Sequence, residues 1–275
     1  MNYSGKLYVV KVGGNVVRAE KDILRVCRGI NKLLQKDARV ILVHGGGPLI
    51  SEEMKKRGLE PVMIAGVRYT DKKALAVAEE VLREINSRIV NGFNSMENKA
   101  ASVSAVTVPG YECTLCVKKQ ALKFYREGKA VEADPGLVGE VSDTDSAYLL
   151  NLIGKGLVPV IYPIGKDSSG VRLNVNADTM ASGIAVGTRC SEMLAVTDVP
   201  GILADVSDPG SVVKTVTTEE AMELIRNGTV SGGMIPKVES CIRAVEAGVP
   251  AVRMISGKDM GYLKTLSSNG TLITR

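Results

Sequence analysis

The chain alternates two kinds of apolar patterning. Short β-branched runs, Leu7 to Val12 and Val40 to Val43, each run into glycine. Between them, from about Lys21 to Gln35, apolar positions recur at helical spacing, which predicts a β-α-β unit. The same alternation continues with a helix near Lys72 to Asn91, a strand near Ser102 to Thr107, a helix near Asp143 to Lys155 and a strand from Val158 to Tyr162. A helix near Ala177 to Val186, a strand from Met193 to Thr197, helices near Thr218 to Arg226 and Lys237 to Glu246, and a strand from Ala251 to Ile255 follow. Strands that alternate with helices imply an α/β fold whose mostly parallel sheet is covered on both faces. The stretch from Pro109 to Gly139 breaks this rhythm, with glycine and proline at its corners, and reads as hairpins that project from the sheet. A soft boundary is expected near Ile164 to Arg172, where GKDSSG supplies a flexible loop, dividing the chain into residues 1–165 and 166–275. The sequence shows no internal repeat of solenoid period and no low-complexity segment.

A length of 275 residues at 45% hydrophobic composition suits one large domain or two modest lobes. Uncharged apolar runs such as Leu157 to Ile164 are far short of the roughly 20 residues that cross a bilayer. The opening MNYSGKLYVVKVGG lacks the features of a signal peptide, so a soluble, cytoplasmic protein without a membrane partner is expected. A formal charge of +5 permits an anionic partner, but there is no long Lys/Arg run, no Trp and only two Phe, so nucleic acid is not expected. The five cysteines, at 27, 113, 116, 190 and 241, suit reduced thiols better than a disulfide framework. Cys113 and Cys116 form a lone CxxC that reads as two structural thiols, with zinc or redox chemistry as the alternative, and no metal ligands are assigned.

Candidate chemistry gathers where strands end. In open parallel sheets ligands sit beyond the carboxyl ends of the strands, where turns and helix N-termini expose backbone amides. KVGGN (Lys11 to Asn15) follows the first strand and HGGGP (His44 to Pro48) the second. Neither is a Walker A or GxGxxG sequence, and a tight strand-to-helix turn explains either alone. Two in succession beside a lysine favour a phosphate site. In NVNADT (174 to 179), Asp178 near a helix start either caps amides or holds a lysine in place. In SGGMIPKV (231 to 238), Lys237 falls in the first turn of a helix, where a cation opposes the macrodipole and calls for an anion nearby. TDVPGIL (197 to 203) suits the edge of a nucleotide pocket or an ordinary loop, and Arg68 in GVRYTD (66 to 71) suits a carboxylate clamp or a surface salt bridge.

In this order, KVGGN, HGGGP, GVRYTD, NVNADT, TDVPGIL and GGMIPKV resemble the amino acid kinase superfamily, and within it the acetylglutamate kinase branch, over nearly the entire chain. The resemblance implies a three-layer αβα sandwich around an open, mostly parallel eight-stranded sheet with β-hairpins in the N-terminal lobe. The N-terminal lobe would bind the acyl amino acid and dimerise, and the C-terminal lobe would bind ATP with Mg²⁺. The implied reaction moves the γ-phosphoryl group to the side-chain carboxylate of N-acetyl-L-glutamate, in arginine biosynthesis. On the matching positions, Lys11 and Lys237 would stabilise the migrating group and Asp178 would organise both lysines. Gly13, Gly14, Gly45 and Gly46 would offer amides to phosphate and acceptor oxygens, and Arg68 and Asn174 would bind the two ends of the substrate. Asp198, Val199, Pro200, Gly201, Ile202 and Leu203, with Gly233 and Met234, would lie along the nucleotide. His44, the sole histidine, would order its turn, since a carboxylate acceptor is ionised at neutral pH and needs no base.

The sequence departs from the family where many members carry a glycine-rich SG-x-DG segment and this chain reads SAVTVPGYECT, 104 to 114. Only ten residues precede Lys11, from which a homodimer insensitive to arginine is expected. Two alternatives stand beside the main reading: a kinase for glutamate or 2-aminoadipate borne on an acidic carrier protein, and a non-catalytic small-molecule sensor.

Overall fold

The computed structural model describes residues 3–97, 103–126, 129–260 and 270–275. In chain order the first elements are β1 (Leu7–Val12), α1 (Glu20–Leu34), β2 (Arg39–His44), α2 (Gly47–Lys56), β3 (Met63–Ile64), β4 (Val67–Arg68), α3 (Lys72–Asn94) and β5 (Ser104–Pro109). Next come α4 (Gly110–Cys113), β6 (Thr114–Lys118), β7 (Leu122–Arg126), β8 (Lys129–Ala133), β9 (Val138–Thr144), α5 (Ser146–Gly154), β10 (Leu157–Tyr162), β11 (Ile164–Lys166) and β12 (Arg172–Val175). The chain continues through α6 (Ala177–Gly187), β13 (Glu192–Thr197), β14 (Thr215–Thr217), α7 (Thr218–Arg226), α8 (Ile235–Glu246), β15 (Val252–Ser256), α9 (Gly257–Met260) and β16 (Thr271–Thr274).

Eight strands form one open sheet in the order β14-β16-β15-β13-β1-β2-β10-β5. Every neighbouring pair is parallel except β15 with β16. Alternation along the central strands sends side chains to two cores, which makes the three layers. Val10 and Val12 of β1 face the core built with α1, α2 and α3, while Leu7 and Val9 face the core built with α5, α6 and α8. The expected eight-stranded, mostly parallel sheet is therefore present. Among the described residues no helix is long and apolar enough to cross a membrane.

The segment that broke the β-α rhythm forms strands, as its turn residues imply. β7 and β8 pair as a separate antiparallel hairpin. β6, β9, β12 and β11 close on one another in a small four-stranded ring. The helix expected from Asp143 begins later: β9 runs through Thr144, paired with Thr114 of β6, and Asp145 caps α5 by accepting from the Tyr148 amide. Segment 104–114, where the sequence departs from its family, runs along β5 into α4. A Cβ on Gly110 would stand 2.7 Å from the Ile164 carbonyl oxygen and 2.8 Å from Met180 Cε, so glycine lets this turn seat against β11 and α6. The GKDSSG loop closes the β11/β12 hairpin. Asp167 accepts from the Ser169 and Val171 amides and the Ser169 hydroxyl, so the turn is hydrogen-bonded, and the expected boundary after residue 165 falls inside the hairpin.

At the amino-terminal end of the sheet, Arg253 of β15 donates from Nε to Glu192 of β13 at 2.7 Å, with side chains 3% and 13% exposed. Beside them, burial first and then the Glu192 charge push the Tyr8 hydroxyl up to about 12.

Candidate active site

Parallel register places the carboxyl ends of β1, β2 and β13 side by side: Val12 lies opposite both His44 and Val196. Each strand then turns into one of the motifs. The turn after β1 and the turn after β2 touch directly. A Cβ on Gly14 would meet Pro48 Cδ at 2.8 Å and the Gly47 nitrogen at 3.1 Å, and one on Gly45 would meet the Gly14 nitrogen at 3.3 Å and Ala177 Cβ at 3.5 Å. Three backbone segments thus meet where only glycine fits: the β1 turn, the N-terminus of α2 and the N-terminus of α6. The first amides of α2 and α6 lack partners within their helices, which gives the crevice a positive field. Not every glycine amide is available to a ligand. The Gly13 amide donates to Val196 O at 3.0 Å and the Gly45 amide to Val12 O at 2.8 Å, extending the sheet ladder. That corrects the expectation that all four glycines present amides.

Two lysines reach this crevice from opposite halves of the chain. Lys11, at the end of β1, pairs with Asp178 in the first turn of α6 at 2.8 Å, with side-chain exposures of 12% and 32%. α8 packs against α6, which carries Asp178, and burial, more than the nearby charges, pushes the Cys241 thiol of α8 up to about 12. Lys237, in the first turn of α8, pairs instead with Asp198, which follows β13. The expectation that one aspartate organises both lysines is corrected: each lysine has its own carboxylate, and Asp198 is the anion that Lys237 requires at a helix N-terminus. The Lys237 hydrogen bond holds the Asp198 carboxyl below the usual carboxylate range. Asn15 joins from the β1 turn, its Nδ2 donating to Asp198 at 3.4 Å.

The rest of TDVPGIL divides in two. Asp198, Val199 and Pro200 are at least partly exposed, whereas Gly201 and Ile202 are buried. Ile202 is 0% exposed and its amide donates to Thr271 Oγ1 at 2.9 Å, so its side chain serves the core and not the crevice, as a correction to its expected place along a nucleotide. Leu203 bridges to Val212. Gly233 and Met234 lie in a single 3-10 turn, Gly232–Met234, that leads into α8.

Arg68 ends β4 and reaches back to α2, donating to Gly47 O at 2.9 Å and Ser51 Oγ at 2.7 Å. It is half-buried, burial lowers its pKa, and among the described residues it pairs with no carboxylate. Asn174 of β12 donates to Thr70 Oγ1 at 3.1 Å, and that hydroxyl donates to Arg68 O at 2.9 Å. Thr70, fully buried, thereby ties the two expected substrate-binding residues together. It stands within the quoted GVRYTD motif, as Asn15 stands within KVGGN, but nothing in either motif singled them out.

His44 is 0% exposed. Its Nδ1–H donates to Gly45 O at 3.1 Å, and its Nε2 accepts from Asn86 Nδ2 at 3.2 Å. Asn86 also donates to Val160 O at 2.9 Å and accepts from Thr107 Oγ1 at 2.7 Å. The ring is thus a neutral strut between β2, α3, β5 and β10. Burial lowers its pKa from 6.5 to about 4. The folded state then binds fewer protons than the unfolded chain between those values. His44 therefore favours the folded state fully above about pH 6.5, and this advantage falls as pH drops toward 4, by roughly 3 kcal/mol. Urea unfolding across that window is expected to show the loss, and His44→Gln to remove that part of the acid sensitivity.

All five cysteines are free and buried, Cys113 and Cys116 included. Among the described residues no group of three or more His, Cys, Asp or Glu side chains is placed to hold a metal ion.

Paired lysines, helix N-termini and side-chain-free turns gather at one end of an open, mostly parallel sheet, the end at which α/β proteins bind their ligands. Comparison with known proteins makes this specific: the model of the amino acid kinase family matches residues 6–256, and the chain belongs to that family. It is 36% identical to the acetylglutamate kinase of Methanocaldococcus jannaschii, covering 99% of this chain and 92% of that one. It is 37% identical to the acetylglutamate kinase of Methanosphaera stadtmanae, covering 93% and 86%. In structure it resembles N-acetylglutamate synthase from Neisseria gonorrhoeae, with a TM-score of 0.81 at 21% identity over 99% of this chain. It spans 62% of that synthase. Giardia carbamate kinase follows at a TM-score of 0.69 and 16% identity, covering 98% and 99%. At such identities these two likenesses are of fold.

Proposed function

We infer that this kinase transfers the γ-phosphoryl group of ATP to the side-chain carboxylate of N-acetyl-L-glutamate, a step of arginine biosynthesis. Identity to acetylglutamate kinases over nearly the whole chain supports the substrate. The observation in the site that carries the reading is Arg68, a half-buried guanidinium without a carboxylate partner among the described residues and set beside the glycine turns. A planar donor of that kind matches a substrate carboxylate.

Phosphoryl transfer asks for alignment and charge neutralisation more than for a covalent residue. Lys11 and Lys237 neutralise the migrating group from the β1 and α8 sides, and Asp178 fixes the Lys11 ammonium. Glycine at 14 and 46 lets the β1 turn and the start of α2 pack closely on each other and on α3, which brings the first turn of α2 to the crevice to receive oxygens. Arg68 and Asn174, tied through Thr70, orient the acceptor. The acceptor carboxylate is ionised at neutral pH, so no base is needed, and His44 is buried with both ring nitrogens hydrogen-bonded within the fold. Mg²⁺ would enter with the nucleotide and would neutralise charge on its phosphates. Val199, Pro200, Gly233 and Met234 would flank the nucleotide, while Asp198 is engaged by Lys237. Residues 1–165, joined by Asn174 of β12, are proposed to hold the acceptor and the rest of 166–275 the ATP. The free, buried thiols support work in the cytoplasm. The assembly is proposed to be a homodimer, with size-exclusion mass as its check.

Purified protein with ATP, Mg²⁺, N-acetylglutamate and hydroxylamine is expected to yield hydroxamate, the trapped acyl phosphate. Product only with carrier-linked glutamate or aminoadipate would replace the substrate, and none with any acceptor would favour a sensor. Arg68→Ala is expected to raise the KM for N-acetylglutamate by about 10- to 100-fold with kcat changed less, as for a lost charged contact made in both ground and transition states.

A further inference from the structure

Lys237 sits on an exposed helix start, on a long flexible stem, where the helix field repels it. Left alone it would spend its time in water. It is instead held by Asp198, and Asp198 is in turn contacted by Asn15, from the turn that carries Lys11 four residues earlier. The three groups form a bridge from the β1 turn to α8 by way of the β13 turn. They thereby link the two halves of the chain across the crevice. An ammonium has three donors, so one can stay on Asp198 while the others face a phosphate. We propose that Asp198, steadied by Asn15, is a positioning residue that aims Lys237 at the transferred phosphoryl group. The role is separate from Asp178, whose partner is Lys11, and separate from contact with the nucleotide. It rests on the reading of this crevice as a phosphoryl-transfer site.

Asp198→Asn keeps the shape and removes the charge that holds the ammonium. It is expected to lower kcat by about ten-fold while the KM for N-acetylglutamate moves by less than about two-fold. Asp198→Glu should recover part of the loss. In a Lys237→Ala background, Asp198→Asn should cost nothing further, because the group it aims is gone. Asn15→Ala should give a smaller loss that likewise vanishes in the Asp198→Asn background. Multiplying effects of Asp198→Asn and Lys237→Ala, or an equal shift in every kinetic constant, would overturn the proposal. A second measurement needs no substrate: the Asp198 carboxyl is titrated by carbon NMR in the full chain and in Lys237→Met. Its low pKa should rise in the variant, and an unchanged value would overturn the pairing itself. If the wild type forms no hydroxamate with N-acetylglutamate, the substrate reading fails, while the titration still judges the bridge.

Discussion

Lys11→Ala and Lys237→Ala are each expected to lower kcat by about 100- to 1000-fold, on the order of 3 kcal/mol of transition-state stabilisation. The reason is that phosphoryl transfer depends on neutralising the negative charge of the migrating group, and these two ammonium groups are the cations that reach the crevice from β1 and α8. Lys11 is 12% exposed, so its charge acts through little water, and its pairing with Asp178 at 2.8 Å removes the freedom to swing away. Lys237 is more open and depends on its own carboxylate for aim. Because both act on one group, the double variant should lose less than the product of the two single losses. Hydroxamate formation under saturating ATP and N-acetylglutamate measures this. Near-wild-type turnover in either single variant would remove that lysine from the mechanism.

Arg253→Met is expected to destabilise the fold by about 3–5 kcal/mol without touching the crevice, because it strands the Glu192 carboxylate in a nearly closed environment. The pair lies at the opposite end of the sheet, between β13 and β15, with Arg253 2% exposed. Little water reaches the pair to take over from the guanidinium. Burial first, and then the Glu192 charge, push the neighbouring Tyr8 hydroxyl up to about 12, as expected of a spot that resists negative charge. Replacing both partners, as Arg253→Met with Glu192→Met, should restore most of the loss, since an apolar pair leaves no orphaned charge. Urea unfolding reads both results, and a loss under about 1 kcal/mol in the single variant would contradict the account.

Much of the fold was legible because its strands are β-branched runs between helices with clear periodicity. β1 spans Leu7–Val12 and α7 spans Thr218–Arg226, the ranges the pattern predicts, and α7 carries its start signal locally in a Thr217–Glu220 capping box. The start of α5 was misread because VSDTDS offers two aspartates as caps. Pairing of Asp143 and Thr144 with β6, a contact between residues far apart in the chain, decides for Asp145. Edge strand β14 and its neighbour β16, three and four residues long, are too short for periodicity to register. In the site, the motifs gave Asp178 to both lysines, and only the fold gives Lys237 a carboxylate of its own in Asp198. Asp178 and Asp198 stand twenty residues apart on different turns, and only the meeting of α6, α8 and the β1 turn assigns one to each lysine. His44 shows the same limit: its buried partner Asn86 lies 42 residues away in the middle of α3, with no local signal.

The most direct measurement is a crystal structure of the protein with N-acetylglutamate, Mg²⁺ and a non-hydrolysable ATP analogue. Both Lys11 Nζ and Lys237 Nζ are expected within hydrogen-bond reach, about 2.7–3.2 Å, of oxygens on the analogue's terminal phosphate. In that complex Arg68 should lie on the acceptor's carboxylate. A complex with the nucleotide fully seated and either ammonium well outside contact with that phosphate would contradict the account.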